Sequence, residues 1–170
     1  MKLFQKFALC LALFAVLLGG CSSKNPQNQA NTNVQNVSDR ILDEMEGPPK
    51  NGHTLERHVG KTEDQLKARI NKENVTAAST YYDKATATKA VQDALRTHEK
   101  EIDDWLHKSK RDRLVLNTHH SFDIGKTVLQ SDMKLHDHLR DSVTVLARDN
   151  TGKLGFKIIT SYPSDSMTHD

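Results

Sequence analysis

Two stretches of the 170-residue chain carry side chains able to move protons and hold an anion. The first is Gly52-His53-Thr54-Leu55-Glu56-Arg57-His58-Val59-Gly60-Lys61, and the second is Thr160-Ser161-Tyr162-Pro163. Histidine has an ordinary pKa near neutrality, so His53 and His58 are natural candidates for a general base or acid. Residues i and i+2 of a strand point to one face. A strand through Phe156, Ile158, Thr160 and Tyr162 therefore sets a hydroxyl and a phenol side by side beyond two apolar residues. A strand that only filled a core would need neither to be polar. Arg69 adds a guanidinium that can grip a phosphate with a two-pronged fork, which lysine cannot match. Taken singly, each of these residues is ordinary. A lone histidine is commonly a surface or satisfied core group, a helical arginine commonly faces water, and Thr and Tyr favour strands.

The other polar clusters read less clearly. His119-His120 and His136-x-His138 look like metal ligands at first glance. Adjacent histidines rarely face one ion, however, and no cysteine or carboxylate frame of known ligand spacing accompanies them. No metal site and no cofactor are expected. The run Lys108-Ser109-Lys110-Arg111-Asp112-Arg113 is the densest basic stretch; it reads either as a solvated loop or as a contact for a nucleic-acid backbone. There is no phosphate-binding glycine loop and no nucleotide fingerprint. With 24 Lys/Arg against 22 Asp/Glu, the formal net charge is +2. Charge alone does not argue for a nucleic-acid binder, so any such site must be a local patch.

The elements that must position these residues change character along the chain. Thr62-Glu63-Asp64-Gln65 is a capping box that starts a helix, with Leu66 and Ile70 on one stripe. Asp83 or Thr86 can start another, burying Ala90, Val91, Ala94 and Leu95. Ile102, Trp105 and Leu106 continue the helical spacing, with Trp105 as a core anchor. The pattern then switches to period two. Leu114 to Leu116, Gly125 to Gln130, Ser142 to Arg148 and Leu154 to Tyr162 read as strands, the last pair joined by the turn cluster Asp149-Asn150-Thr151-Gly152 into a hairpin. Helices first and antiparallel strands afterwards give an α+β fold.

The N-terminus carries a separate message. Met1 to Lys6 is a basic n-region, Phe7 to Leu18 is apolar, and Leu18-Gly19-Gly20-Cys21 reads as a lipobox. Residues 1–20 are thus expected to be a lipoprotein signal peptide and Cys21 a lipidated anchor. Ser22, rather than Asp, after the cysteine resembles Gram-negative lipoproteins sent to the outer membrane. Cys10 leaves with the signal, so the mature chain has neither a disulfide nor a free thiol. Residues 21–49 are expected to be a flexible polar tether, with a short amphipathic turn capped by Ser38 and carrying Ile41, Leu42 and Met45. The globular domain is placed at 50–163 and a disordered tail at 164–170.

The ordered elements from Gly52 to Pro163 resemble the RNase A-like toxin module of bacterial contact-dependent inhibition proteins. The likeness rests on His53-Thr54-Leu55-x-x-His58-Val59-Gly60-Lys61, Leu66-x-x-Arg69-Ile70, Ala78-Ser79-Thr80-Tyr81, Trp105-Leu106, Gly125, Val143-x-Val145-Leu146 and Gly155-Phe156-x-Ile158-x-Thr160-x-Tyr162-Pro163. Each piece is weak alone; their order and spacing are specific. The resemblance implies a twisted antiparallel sheet behind N-terminal helices, without disulfides. It implies a monomeric, metal-independent RNA endonuclease working through the 2′-hydroxyl, with tRNA one candidate substrate and a cognate immunity protein as partner. It makes His58, Arg69, Thr160 and Tyr162 the catalytic candidates, with His53 and Lys61 as candidate substrate-binding residues. Members are usually C-terminal domains of very large secreted effectors, whereas here the same motifs follow a lipoprotein signal. That places the chain at the cell envelope, with any toxic action in a target-cell cytoplasm. The competing expectation is a non-catalytic envelope lipoprotein that keeps the fold as a binding module.

Overall fold

The computed structural model of the protein describes residues 34–165. The expected signal segment, Cys21, the start of the tether and residues 166–170 lie outside the described residues. After a 3-10 turn at Val34–Asn36 come α1 (Ile41–Met45), α2 (Thr54–His58), α3 (Glu63–Glu73), β1 (Ala77–Tyr81), α4 (Lys84–Thr97) and α5 (Glu99–Lys108). The rest is strand: β2 (Arg113–His119), β3 (Gly125–Leu129), β4 (Leu135–Leu139), β5 (Asp141–Arg148) and β6 (Phe156–Ser164). The fold is α+β, as the pattern requires. Its strands form two antiparallel three-stranded sheets, ordered β1-β3-β4 and β2-β5-β6.

Local chemistry explains the helices. At α3, Thr62 Oγ1 accepts from the Gln65 backbone N–H at 3.3 Å, and Gln65 Oε1 accepts from the Thr62 N–H at 2.9 Å. Asn74 ends the helix in the left-handed region. Leu66 and Ile70 are its buried stripe. Asp83 caps α4, accepting from the Thr86 N–H at 2.7 Å. Ala87, Ala90, Val91, Ala94 and Leu95 are the buried face of α4. Trp105 is buried, and its indole N–H donates to the Arg111 carbonyl at 2.8 Å. In β2, Leu114, Leu116 and Thr118 point inward and alternate with exposed neighbours.

Two elements depart from the expectations. β1 lies among the helices, because Ala78-Ser79-Thr80-Tyr81 is buried on both faces and shows no alternation. β4 is built largely of His and Asp, and periodicity gave no sign of it. The core also begins before residue 50. Val34, Ile41, Leu42 and Met45 are buried in the main apolar cluster, so the last part of the expected tether is a structural element. A helix as short as α1 has no stability of its own; its apolar face is held against β6. The same segment is fixed to α4, where Gln92 Nε2 donates to the Val37 carbonyl at 3.0 Å and to Asp39 at 2.9 Å. Ser38 is not the N-cap, which is Arg40; Ser38 instead accepts at its Oγ from the Arg40 N–H at 3.0 Å. At the other limit, Ser164 belongs to β6 rather than to a tail.

Candidate active site

The histidine motif is folded against β6 by its backbone. A Cβ on Gly52 would lie 2.4 Å from the Met45 carbonyl oxygen and 2.8 Å from that of Ile158, so only glycine fits this crossing. The His53 N–H then donates to the Ile159 carbonyl at 3.0 Å. Glu46 caps α2, accepting from the Leu55 and Glu56 N–H groups at 3.0 and 2.8 Å. The Ser161 N–H donates to Thr54 Oγ1 at 2.9 Å. Gly60, at φ +65°, turns the chain out of α2 toward α3. His58 is thus carried on one short helix sewn to the strand that presents Thr160 and Tyr162.

His58 lies between the two sheets. Its Nδ1 is 3.2 Å from the Ser79 carbonyl oxygen on β1. A carbonyl only accepts, so Nδ1 holds the ring proton and Nε2 holds the free lone pair. The Tyr162 ring stacks on the imidazole at 5.1 Å between centroids and 29° between planes. Only 6% of His58 is exposed. Burial first, and then the nearby Arg69 cation, push its pKa down to about 3. The folded protein therefore holds His58 as a neutral proton acceptor. Burial raises the Tyr162 phenol, which keeps its proton.

Arg69 stands opposite. Its Nε donates to Glu73 at 3.1 Å, and Arg57 Nη2 donates to the same carboxylate oxygen at 2.6 Å. The two guanidiniums hold Glu73 below the usual carboxylate range, Arg69 contributing most. Arg69 Nη1 and Thr160 Oγ1 are buried and have no hydrogen-bond partner among the described residues. Unpartnered buried donors are costly, and their persistence calls for an explanation. Both residues line a cleft of about 510 Å³ together with His53, His58 and Tyr162. An anion seated there would satisfy both atoms. Lys61, expected in the same site, lines the neighbouring groove instead. Sequence reasoning missed Arg57 and Glu73, although the Arg69-x-x-x-Glu73 spacing on α3 is an i,i+4 pair visible in the sequence. It had no means of finding the Ser79 carbonyl, because backbone atoms carry no sequence signal.

The histidines of the two suspected metal motifs are held by separate carboxylates. His136 bonds Asp132 at 3.0 Å, His138 bonds Asp123 at 2.8 Å and His119 bonds Asp141 at 2.8 Å. His138 has φ 62°, which breaks the strand geometry that would have aligned it with His136. His120 is fully buried between Asp93, at 2.7 Å, and Ser142 Oγ, at 2.8 Å. This Asp–His–Ser order copies a hydrolase triad, but Ser142 is only 1% exposed, so no substrate reaches it. Ser161, which points away from the cleft, bonds Tyr81 Oη at 2.6 Å and Thr144 Oγ1 at 2.8 Å. This buried polar layer braces β1 and β6 behind the cleft.

Comparison with known proteins bears on the fold and the family. One chain of the solved CdiA-CT/CdiI complex from Y. kristensenii 33638 is similar at 32% identity and a TM-score of 0.63; the match covers 67% of this chain and 100% of that one. No curated protein matches. Residues 52–163 match the model of the bacterial CdiA-CT RNase A domain, and the chain belongs to that family.

Proposed function

We propose that the cleft cleaves RNA by transesterification and needs no metal ion to do so. His58 Nε2 takes the proton of a 2′-hydroxyl. The 2′-oxygen then attacks the adjacent phosphorus, the bond to the 5′-oxygen breaks, and that oxygen takes a proton from solvent, to which His58 later returns the one it took. The products are a 2′,3′-cyclic phosphate and a free 5′-hydroxyl. Arg69 Nη1 and Thr160 Oγ1 donate to the phosphoryl oxygens, where negative charge grows. The Tyr162 hydroxyl donates to a phosphoryl oxygen or to the leaving oxygen. His53 binds substrate at the edge of the cleft. The observation that carries this reading is the pairing of a neutral histidine, its tautomer set by Ser79, with two unpartnered donors across one cleft. A pKa of about 3 would make His58 a weak base, but a bound phosphodiester anion opposes the shift and makes the imidazole more basic as substrate binds.

The full chain incubated with total RNA in excess chelator should degrade it and leave cyclic or 3′-phosphate ends. Activity abolished by EDTA and restored by a divalent ion would overturn the mechanism, as would products with 5′-phosphate ends.

The similarity to one chain of the CdiA-CT/CdiI complex supports a cognate immunity protein of the CdiI kind, and membership of the RNase A domain family supports RNA as the substrate; on this reading the protein is a toxin that acts in a target-cell cytoplasm, with tRNA one substrate class to be tested. The lipobox supports an anchor at Cys21 in the cell envelope. Cys21→Ser should abolish acyl labelling and move the protein out of the detergent phase. Unchanged fractionation, with no acyl label on the wild type, would reject the anchor.

A further inference from the structure

We infer that the groove beside the cleft is a second phosphate subsite, so that the preferred substrate is an RNA strand extending beyond the scissile dinucleotide. This rests on the reading of the cleft as a phosphodiester site. The groove has a volume of about 400 Å³ and shares Arg57, Arg69 and Glu73 with the cleft. The Arg57–Glu73–Arg69 bridge is thus the wall between the two, and a strand leaving the cleft over that wall enters the groove. Lys61 and Lys72 line the groove but not the cleft, with Glu56 as the other carboxylate of the lining.

Charge and rigidity both favour a phosphate there. Glu73 is already engaged by two guanidiniums. On α3, Lys67 is paired with Glu63 at 2.6 Å, whereas Lys61 and Lys72 hold no ion pair among the described residues. Lys72 lies three residues after Arg69 and so shares its helix face. Lys61 is fixed at its backbone, where its N–H donates to Thr80 Oγ1 at 3.0 Å. Beside it, Val59 bridges to Tyr81 on β1. A single cleft holds one phosphodiester, and the next phosphate of the same strand needs its own cation. This subsite also accounts for Lys61 standing within the histidine motif and yet outside the cleft.

The test is binding rather than cleavage, so it stands apart from the chemistry. The probes are a 2′-O-methyl RNA pentanucleotide, which cannot be cut through the 2′-oxygen, and the matching dinucleotide. In the full chain, Lys61→Gln with Lys72→Gln should weaken the pentanucleotide several-fold. It should also reduce the slope of log K against log salt by about 0.7, the single-strand value for one phosphate contact. The dinucleotide affinity should change less than twofold. Lys134→Gln with Lys153→Gln, exposed lysines that line neither the cleft nor the groove, removes the same charge elsewhere and should change neither. An unchanged pentanucleotide affinity overturns the subsite, as does equal weakening of both probes or an equal loss in the control variant. A chain that grips the pentanucleotide through these lysines and yet leaves RNA uncut refutes the ribonuclease reading and leaves the subsite standing.

Discussion

His58→Ala should lower the single-turnover rate of RNA cleavage by about 10²- to 10⁴-fold, the usual scale for removal of a general base. The size of the effect follows from the site. His58 is the cleft histidine whose tautomer is fixed, with Nδ1 donating to Ser79 and Nε2 free. Of the two histidines that line the cleft, His58 alone has a ring nitrogen held by a hydrogen bond among the described residues. Arg69→Lys keeps a positive charge but cannot both hold Glu73 through Nε and reach a phosphoryl oxygen through Nη1, so it too should be substantially impaired. Tyr162→Phe keeps the ring that stacks on His58 and removes only the hydroxyl. Its loss should fall on turnover and spare RNA binding, with little change in melting temperature. The three variants are to be compared with the wild type by single-turnover rates and thermal melts. A folded His58→Ala chain with full activity would move the base to His53.

Much of this arrangement could be read from the sequence, and the reasons are local. The capping box at Thr62, the cap at Asp83 and the i, i+2 pairing of Thr160 with Tyr162 depend on neighbours a few residues apart, and the structure contains all three. What escaped depends on distant partners. β1 shows no alternation because helices and strands cover both its faces. The apolar residues Val34, Ile41 and Leu42 sit in a polar surrounding that reads as tether, and only their burial against β6 and α4 reveals them as core. Lys61 shares a motif with His58, but the turn at Gly60 aims it across the Arg57–Glu73–Arg69 wall. The Arg57–Glu73 contact joins residues sixteen apart in sequence. Spacing named the actors at this site, whereas the walls between them came from the fold.

The depressed pKa of His58 should also make the folded protein acid-sensitive in a way that one substitution removes. In the unfolded chain the imidazole titrates at its ordinary value of 6.5; in the folded chain it titrates at about 3. Between these values the unfolded state binds a proton that the folded state refuses. Stability therefore falls as pH falls through this window, and the penalty is complete below about pH 3. Each unit of pH inside the window is worth about 1.4 kcal/mol, so His58 alone removes about 3 kcal/mol between pH 7 and pH 4. Solvent screening does little to reduce this, since the ring is only 6% exposed. The Asp83, Asp104 and Asp149 carboxyls, all held below their ordinary range, also lose stability as they protonate, in the same direction but at lower pH. They titrate equally in a His58→Gln variant, whose amide can still donate to Ser79 but does not ionise. Urea unfolding at pH 7 and pH 4 should therefore show the wild type losing about 3 kcal/mol more than His58→Gln. Parallel losses in the two proteins would mean that His58 titrates near 6.5 when folded. The imidazole would then be far better solvated than its place between Ser79 and Tyr162 requires, and the argument for a dry, pre-set base would fall with it.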